Sequence, residues 1–368
     1  MAVEGLPAFF ARNGLLSEDV ERCLDLVRTL FPGCVFDHAV HQGGCSYTLK
    51  MKKLDHSSTT GDDPSFITAK GAFIVQFRPL KHAISVTVAD EARQLFGSLV
   101  PTFRELGFVD ITSTSKLQAC QISNISGERF SDLQPVGTQL DIISVRRYVS
   151  LLEGLAKFYA IAWEAAKARG SDGRQNKCEG RVGSTMLLRL QKLEQHLPSS
   201  LLRGKARSIR QRVQQGGLDA LPIVLTHGDL IPSNIMVDRG TWRVTGFVDW
   251  AEAEYLPFGL SFYCVDRVLG FVEQPSGACG PRFVWYKQEY DLRCAFWNML
   301  TYRIAELQAH AIKNAVRLAR SVAILLWHGI AFDDGKLDRV IDPIEDAEGL
   351  AYLNAFLGPT YEDIDSKL

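Results

Sequence analysis

The sequence predicts an α+β protein of two lobes, with a small lobe built on a sheet over residues 1–122 and a mostly helical lobe over residues 123–368. Three observations lead to this prediction. Short apolar runs separated by turn-forming residues mark strands in the first part of the chain. Long segments with apolar residues at helical spacing follow from about residue 145 onward. Within this helical part, a polar loop at residues 226–234 lies between two apolar runs.

The composition is that of a globular protein without a strongly charged surface. Hydrophobic residues make up 46% of the 368 positions and the formal net charge is −1, so the charge balance favours neither nucleic acid nor an anionic membrane as a partner. The eight cysteines are scattered without a Cys-x2-Cys pair, which argues against a zinc site and a disulfide framework. Free thiols, the lack of a signal peptide and the lack of a membrane-length apolar run together predict a cytoplasmic protein.

The small lobe is predicted to begin with a helix over 17–30 and to continue with strands. Apolar runs place strands at 35–40, 46–51 and 72–78, and a helix over 88–99 follows the third strand. The first two strands are joined by a turn that contains a glycine pair, and such a pair alone predicts no more than a hairpin.

The larger lobe is predicted to open with a long helix. Apolar residues keep the helical period from Val145 to Trp163, and Gly170 lies where a helix would end. Helices over 187–197 and 202–213 lead to a strand at 221–225, and the apolar run 244–248 forms a second strand. Beyond Gly259 the pattern predicts helices to the end of the chain, most clearly over 286–311 and 315–327.

Three polar residues follow these two strands at a spacing that suits phosphoryl transfer. Asp229 and Asn234 lie on the loop after the first strand, and Asp249 comes directly after the second. Phosphoryl transfer needs a carboxylate that meets the attacking hydroxyl and oxygen ligands that hold magnesium at the phosphates. An Asp-x4-Asn loop alone predicts only a turn, whereas the loop followed by a strand-borne Asp supplies all three groups.

The motif His-Gly-Asp-x4-Asn at 227–234, with Val-Asp-Trp at 248–250, resembles the aminoglycoside phosphotransferase and choline kinase-like family of distant protein kinase relatives. The continuation to Gly259 is similar to that of fungal members, and the resemblance covers roughly residues 35–330. It implies a bilobal protein kinase-like fold and transfer of phosphate from ATP, or from GTP, to a small-molecule hydroxyl. It also implies Asp229 as the catalytic residue, Asn234 and Asp249 as Mg²⁺ ligands, and a structural role for His227.

The same resemblance places the nucleotide-binding residues in the small lobe. Gly43, Gly44 and Ser46 would lie over the phosphates, because glycine lets backbone N–H groups approach a phosphate closely. Kinases carry a lysine on the third strand, and this chain has none. We expect Arg78 to hold the phosphates instead, since a guanidinium is always charged and binds phosphate at two points. The alternative is that Arg78 binds no phosphate and is a solvent-exposed residue at the end of the strand, beside Pro79.

Three further nucleotide-site residues follow from the resemblance alone. Glu91, on the helix after the third strand, is the candidate partner of the phosphate-binding cation, and a surface glutamate is the equal alternative. A strand over 116–123 would lead to the segment whose backbone meets adenine, from Gln121 to Asn124.

Two other functions compete with the phosphotransferase. The missing lysine favours a pseudokinase-like module that binds a nucleotide or another small molecule without catalysis, whereas the complete set of Asp229, Asn234 and Asp249 favours an enzyme. The third possibility is a biosynthetic enzyme that reuses the kinase fold for other chemistry. The sequence does not identify the acceptor, although a cationic acceptor would suit three acidic residues near or beyond the second strand, Glu252, Glu254 and Asp266.

Overall fold

The chain divides into two compact units, Met1–Ile125 and Ser126–Leu368. The computed structural model describes residues 9–11, 13–39, 42, 44–54, 72–111, 116–170, 178, 180–275, 280–331 and 339–358. The first unit is rich in strands and the second in helices, so the predicted α+β fold with two lobes is confirmed. Within the described ranges, no helix combines the length and the apolar character needed to cross a membrane.

A five-stranded antiparallel sheet forms the first unit, with helices α1 (Ser17–Leu30) and α2 (Val86–Phe96). The strands lie in the order β1-β2-β3-β5-β4. Their bounds are β1 (Cys34–His38), β2 (Tyr47–Lys53), β3 (Ala72–Pro79), β4 (Phe103–Asp110) and β5 (Lys116–Ser123). The three predicted strands that lead up to α2 therefore lie within one or two residues of β1, β2 and β3.

Alternation along β3 separates an apolar face of this sheet from a polar face. Phe73, Val75 and Phe77 belong to the core of the unit, together with residues of α1. Successive side chains of a strand point to opposite faces, so Gln76 and Arg78 lie on the other face. The apolar face stabilises the unit by excluding water, and the polar face displays hydrogen-bonding groups.

The second unit is built on helices with several short strand pairs between them. The helices are α3 (Phe130–Leu133), α4 (Ile142–Gly170), α5 (Met186–His196), α6 (Ser200–Gln214), α7 (Tyr263–Val268), α8 (Glu289–Arg303), α9 (His310–Gly329) and α10 (Ala347–Leu357). The strands are β6 (Glu128–Arg129), β7 (Ile223–Thr226), β8 (Ile235–Val237), β9 (Val244–Phe247), β10 (Glu254–Pro257), β11 (Gly270–Glu273), β12 (Arg282–Trp285), β13 (Ile330–Ala331) and β14 (Arg339–Val340). They form a sheet of order β6-β8-β9 and the pairs β7–β10, β11–β12 and β13–β14.

The expectation of helices throughout the segment after Gly259 is wrong in two places. The antiparallel pairs β11–β12 and β13–β14 interrupt the helices there. Each of these strands has two to four residues, which is too short for its alternation to stand out from an apolar helical pattern. The predicted helix over 286–311 also ends early, because α8 stops at Arg303 and a short 3₁₀ turn follows.

A buried cluster of charged side chains joins α7, α8 and α9. Asp266 Oδ1 accepts a hydrogen bond from Arg293 Nη1 at 2.6 Å, and Asp266 Oδ2 accepts one from Arg320 Nε at 2.8 Å. Glu289 also pairs with Arg293 along α8. The side chains of Asp266, Arg293 and Arg320 are 0%, 2% and 6% exposed, so water cannot replace a lost partner. Removing one charge from such a cluster leaves the others buried without compensation.

A second buried carboxylate, that of Glu254, positions the turn before α5. It accepts hydrogen bonds from the backbone N–H groups of Val182 and Gly183 at 3.2 Å. Burial raises the pKa of Glu254 to about 6, although these backbone hydrogen bonds lower it. Glu254 lies on β10, the partner of β7, and its carbonyl accepts a hydrogen bond from Thr226 Oγ1 at 2.9 Å.

We expect Asp266→Asn to lower the free energy of unfolding by about 3–5 kcal/mol, because two arginines would lose their shared carboxylate in a buried site. Urea denaturation at neutral pH measures this change. Asp291→Asn, on the exposed face of α8, is the control and should stay within about 0.5 kcal/mol of the wild type. Equal losses in both variants would mean that the cluster does not hold the helices together.

We expect Glu254→Gln to be more stable than the wild type at pH 8, and this advantage to shrink by about 1 kcal/mol at pH 5. Raising the folded-state pKa of a carboxyl stabilises the fold at low pH, and this contribution is lost as the pH rises through about 6. Thr226→Val is the control, since it removes a neighbouring hydrogen bond but no titratable group. Thermal unfolding of all three proteins at both pH values provides the measurement, and a pH-independent difference for Glu254→Gln would contradict the prediction.

Candidate active site

The loop between β7 and β8 carries Asp229 and Asn234. Antiparallel pairing of β7 with β10 fixes its beginning, and a 3₁₀ turn over Pro232–Asn234 leads directly into β8. Strand β8 pairs with β9 in a register that places Ile235 opposite Phe247. Asp249 follows β9 after a single residue, so the sheet brings it to the same place as Asn234.

His227 connects this loop to the end of β9. Its Nε2 lies 2.9 Å from the carbonyl oxygen of Val248, and its Nδ1 accepts a hydrogen bond from the Asp229 N–H at 3.3 Å. Burial lowers the pKa of His227 to about 4, so the ring is neutral at pH 7. A neutral ring that meets a carbonyl at Nε2 carries its proton there and accepts at Nδ1. These two bonds agree with the structural role that the sequence predicts for His227.

Gly228 allows the close approach between this loop and the segment after Asp249. Its φ is +79°, in the left-handed region, and a Cβ at this position would overlap the carbonyl oxygen of Glu252. Only glycine fits such a site without backbone movement. Trp327 Nε1 donates a hydrogen bond to the Gly228 carbonyl, which holds the same peptide from the side of α9.

Asn234 binds Asp229 and thereby closes the loop. Its Nδ2 donates to the backbone oxygen of Asp229 at 2.8 Å and to Asp229 Oδ2 at 3.1 Å. Because the amide nitrogen faces Asp229, the amide oxygen Oδ1 points in another direction. The backbone oxygen of Asn234 accepts a hydrogen bond from Val248 N at 3.0 Å, next to Asp249. The structure therefore brings together the three residues that the sequence singled out.

Asp249 has a backbone conformation that is uncommon for a residue with a side chain. Its φ is +65°, and the residue is exposed to solvent. Non-glycine residues in the left-handed region carry backbone strain and occur disproportionately at functional sites. The conformation is held by the surrounding strands and by the His227 bond to the preceding residue, Val248.

The site concentrates negative charge. Burial and the charge of Asp249 together raise the pKa of Asp229 to about 6, although the charge of Arg267 lowers it. Two carboxylates that raise each other's free energy in this way form a site that a divalent cation would stabilise.

The donor atoms of Asn234 and Asp249 fit Mg²⁺, which prefers oxygen ligands. Within the described residues, no group of three or more His, Cys, Asp or Glu side chains could hold a metal ion. A magnesium ion at Asn234 and Asp249 would therefore complete its coordination with phosphate oxygens and water, which is usual for Mg²⁺ at nucleotides.

The nucleotide-binding residues expected in the first unit include a hydrogen-bonded row on the polar face of the sheet. Ser46 Oγ lies 3.2 Å from Thr48 Oγ1, and Gln76 Nε2 donates to Thr48 Oγ1 at 3.2 Å. Arg78 Nη1 continues the row by donating to Gln76 Oε1 at 2.8 Å. Gly44 lies in the turn before β2, whereas Gly43 is outside the described residues.

The alternative of a solvated strand end for Arg78 is wrong. Arg78 is 2% exposed, and its Nε donates to the backbone oxygen of His82 at 2.9 Å. The turn after β3 supplies this acceptor, and a prediction from the strand alone could not include it.

The other expected nucleotide-site residues lie in three different settings. Glu91 is half-buried on α2. Gln121 lies within β5, where the register pairs it with Val75 of β3 and Arg104 of β4. Asn124 is exposed and lies just past the end of β5, which leaves its backbone better placed than that of Gln121 to meet a ligand.

Three residues far away in the sequence also shape the catalytic loop, and sequence reasoning did not find them. Tyr263 OH accepts a hydrogen bond from Leu230 N at 2.9 Å, Trp327 binds the Gly228 carbonyl, and the charge of Arg267 lowers the pKa of Asp229. Each lies at least 29 residues from Asn234, where the loop ends, and an aromatic residue or an arginine at such a distance leaves no local pattern that identifies it.

The acidic residues that would suit a cationic acceptor have partners within the chain. Glu254 binds the backbone of Val182 and Gly183, and Asp266 binds two arginines. Glu252 lies 3.4 Å from Arg181. The structure therefore gives no support to the expectation that these three carboxylates bind a cationic acceptor.

Comparison with known proteins identifies the family. The family model described as "Phosphotransferase enzyme family" matches residues 65–262. The GDP complex of a mutant of aminoglycoside 2'-phosphotransferase-IIIa is 12% identical, with a TM-score of 0.56 over 94% of this chain and 99% of that chain. The wild-type GDP complex is 13% identical, with a TM-score of 0.52 over 94% of this chain and 98% of that chain.

At identities this low, the two structures show the fold alone, and they confirm the predicted bilobal kinase-like architecture. A search of curated proteins found no match. The family model covers more than half of the chain and includes the whole loop from His227 to Asn234 together with Asp249. The chain therefore belongs to the phosphotransferase enzyme family.

Proposed function

We propose that this protein transfers the γ-phosphoryl group of ATP to a hydroxyl of a small molecule, with Mg²⁺ as the metal. The observation that carries the proposal is the assembly of Asp229, Asn234 and Asp249 at the ends of neighbouring strands. Membership of the phosphotransferase family supports it.

Asp229 acts as the catalytic residue in this proposal. Its carboxylate orients the acceptor hydroxyl and takes its proton as the oxygen attacks phosphorus. The raised pKa, about 6, makes Asp229 a stronger base than an ordinary aspartate and leaves it ionised at pH 7. Asn234 and Asp249 hold Mg²⁺, which when bound neutralises the charge on the phosphates.

We also assign nucleotide binding to residues of the first unit. Gly43, Gly44 and Ser46 cover the phosphates, and Arg78 replaces the lysine of other kinases, with Glu91 as its partner. The backbone from Gln121 to Asn124 meets the base. The hydrogen-bonded row from Ser46 to Arg78 supports this assignment, because it fixes a guanidinium on the polar face of the sheet. The two solved structures described above are GDP complexes. GTP should therefore be tested beside ATP as the phosphate donor.

A nucleotide-binding module without catalysis is the second candidate. The observation that favours it is the burial of Arg78, whose guanidinium already donates to His82 and Gln76. A biosynthetic enzyme with other chemistry is the third candidate, and it is distinguished by a product without phosphate. In each case we place the protein in the cytoplasm, because its eight cysteines are scattered along the sequence in no pattern typical of a disulfide framework.

We expect magnesium-dependent nucleotide binding that Asp249→Ala weakens by about tenfold or more, since a charged contact contributes about 1.5–3 kcal/mol. Calorimetry with a non-hydrolysable ATP analogue, with and without Mg²⁺, measures it. Asp291→Ala on α8 serves as the control for loss of an exposed carboxylate. Equal affinity in the presence and absence of Mg²⁺ would refute the assignment of Asp249.

We expect Asp229→Asn to reduce turnover by a factor of about 10² or more while Mg-ATP affinity stays nearly unchanged, because Asp229 faces the hydroxyl and not the nucleotide. The variant keeps an oxygen that can accept the Asn234 hydrogen bond, so the loop is retained. Nucleotide consumption is measured across hydroxylated metabolites. If no acceptor raises nucleotide consumption by the wild type above that of Asp229→Asn, while both proteins bind nucleotide equally, the protein is a binding module and not an enzyme.

A further inference from the structure

Arg267, on α7, contacts an aromatic side chain and forms no ion pair with any residue that the structure describes. Its Nη2 donates to Tyr352 OH at 2.9 Å, and its Cζ lies 4.4 Å from the centre of the Tyr352 ring. The residue is half-buried. Both contacts are with an uncharged group, so they orient the guanidinium without neutralising it.

Among the residues that the structure describes, Arg267 forms no ion pair with a carboxylate, although Tyr352 OH, which accepts its hydrogen bond, donates to Glu348 Oε1 at 3.0 Å. Arg267 Nε is buried without a hydrogen-bond acceptor among those residues. The arginines on the neighbouring helices differ, because Arg293 and Arg320 both pair with Asp266. A partly desolvated cation without a direct ion pair is unfavourable, and an anionic ligand in contact with it would reduce that penalty.

An aromatic cluster connects Arg267 to the catalytic loop. The cluster consists of Tyr263, Trp327, His328 and Tyr352. Tyr263 stacks on Trp327 with ring centres 5.1 Å apart, and His328 stacks on Tyr352 with ring centres 4.6 Å apart. Tyr263 contacts His328 edge-on at 5.9 Å, which joins the two pairs.

The two ends of this cluster are the catalytic loop and Arg267. Tyr263 OH binds the backbone N–H of Leu230, the residue after Asp229, and Tyr352 OH binds Arg267. Tyr263 and Arg267 are four residues apart on α7 and therefore lie on the same side of that helix. Arg267 is thus connected to the loop that carries Asp229 through Tyr263, whose hydroxyl binds Leu230 N at 2.9 Å.

The charges around Asp229 decide which acceptor suits the site. The carboxylates of Glu252, Glu254 and Asp266 are occupied within the chain. In the proposed function, Asp229 meets the hydroxyl and Asp249 meets the metal. The cation of Arg267, which is connected to the catalytic loop through Tyr263, would repel an aminated acceptor and attract an anionic one.

We propose that Arg267 binds a carboxylate or phosphate group on the acceptor whose hydroxyl faces Asp229. This inference rests on the proposed function and adds the substrate class, a hydroxylated small-molecule anion. In the reaction, a bond forms between the acceptor oxygen and the γ-phosphorus as the bond from that phosphorus to the β,γ-bridging oxygen breaks. The hydroxyl proton passes to Asp229, and the nucleoside diphosphate leaves.

The test compares the wild type with three variants of the full chain. Arg267→Gln removes the charge but keeps a hydrogen-bond donor for Tyr352, and Arg267→Lys restores the charge. Arg169→Gln is the matched control. Arg169 makes the same contacts with Tyr255, a hydrogen bond to its hydroxyl at 2.9 Å and a ring contact at 4.9 Å, and it also has a buried nitrogen without a partner. Thermal unfolding of each variant accompanies the kinetics.

The acceptors are matched sets with one carbon skeleton and different charge. One set is glycerol, glycerate, glycerol phosphate and aminopropanediol, and another is glucose, gluconate, glucose 6-phosphate and glucosamine. At saturating Mg-ATP we expect turnover with carboxylated or phosphorylated members. Arg267→Gln should raise KM for them by about tenfold or more, with kcat changed much less, which is the size expected for a lost charge-assisted contact. Arg267→Lys should recover part of the loss, and Arg169→Gln should match the wild type.

Three results would overturn the inference in distinguishable ways. If the wild type uses aminated or uncharged members as well as anionic ones, Arg267 does not select an anion, although the proposed function stands. This comparison needs no variant and holds even if Arg267→Gln fails to fold. If Arg267→Gln lowers kcat equally for all acceptors at constant KM, Arg267 acts on the transferred phosphoryl group. If no acceptor stimulates the wild type while Mg-nucleotide still binds, the proposed function fails and the inference fails with it.

Discussion

The neutral imidazole of His227 is the element on which the geometry of the site depends. One ring nitrogen donates to the end of β9 and the other accepts from the backbone of Asp229, so a single side chain sets the distance between the loop and the strand that delivers Asp249. A protonated ring would present a second donor to the Asp229 N–H and lose that bond. Burial prevents protonation, and Gly228 lets the adjoining backbone pass the Glu252 carbonyl at close range.

Most acidic residues discussed in the second unit have partners within the chain. Acidic residues near the site are neutralised by arginines or by backbone N–H groups, and they stabilise α7, α8, α9 and the turn before α5. In the proposed function Asp229 and Asp249 act on ligands, and the guanidinium of Arg267 lies 4.4 Å from the centre of the Tyr352 ring. In the proposed function, this site would combine a base, a metal-binding carboxylate and a cation that binds an acidic acceptor.

The sequence predicts the features that depend on local pattern, and it misses those that depend on long-range packing. Strand β3 and helix α4 have clear periods, and the spacing of Asp229, Asn234 and Asp249 reflects two strands that end side by side. The pairs β11–β12 and β13–β14 are too short to leave a period, and the burial of Arg78 depends on a turn beyond its strand. Tyr263, Trp327 and Arg267 reach the loop only through the folding of α7 and α9.

The most direct test of the claim that this protein is a phosphotransferase follows the γ-phosphoryl group itself. Full-length protein is incubated with Mg²⁺, a protein-free metabolite extract and ATP or GTP that carries a radiolabel in the γ-phosphoryl group, and the labelled compounds are separated. We expect the wild type to form a new labelled organic phosphate that Asp229→Asn does not form. A label that stays in the nucleotide, or that reaches only inorganic phosphate with both proteins, would contradict the claim.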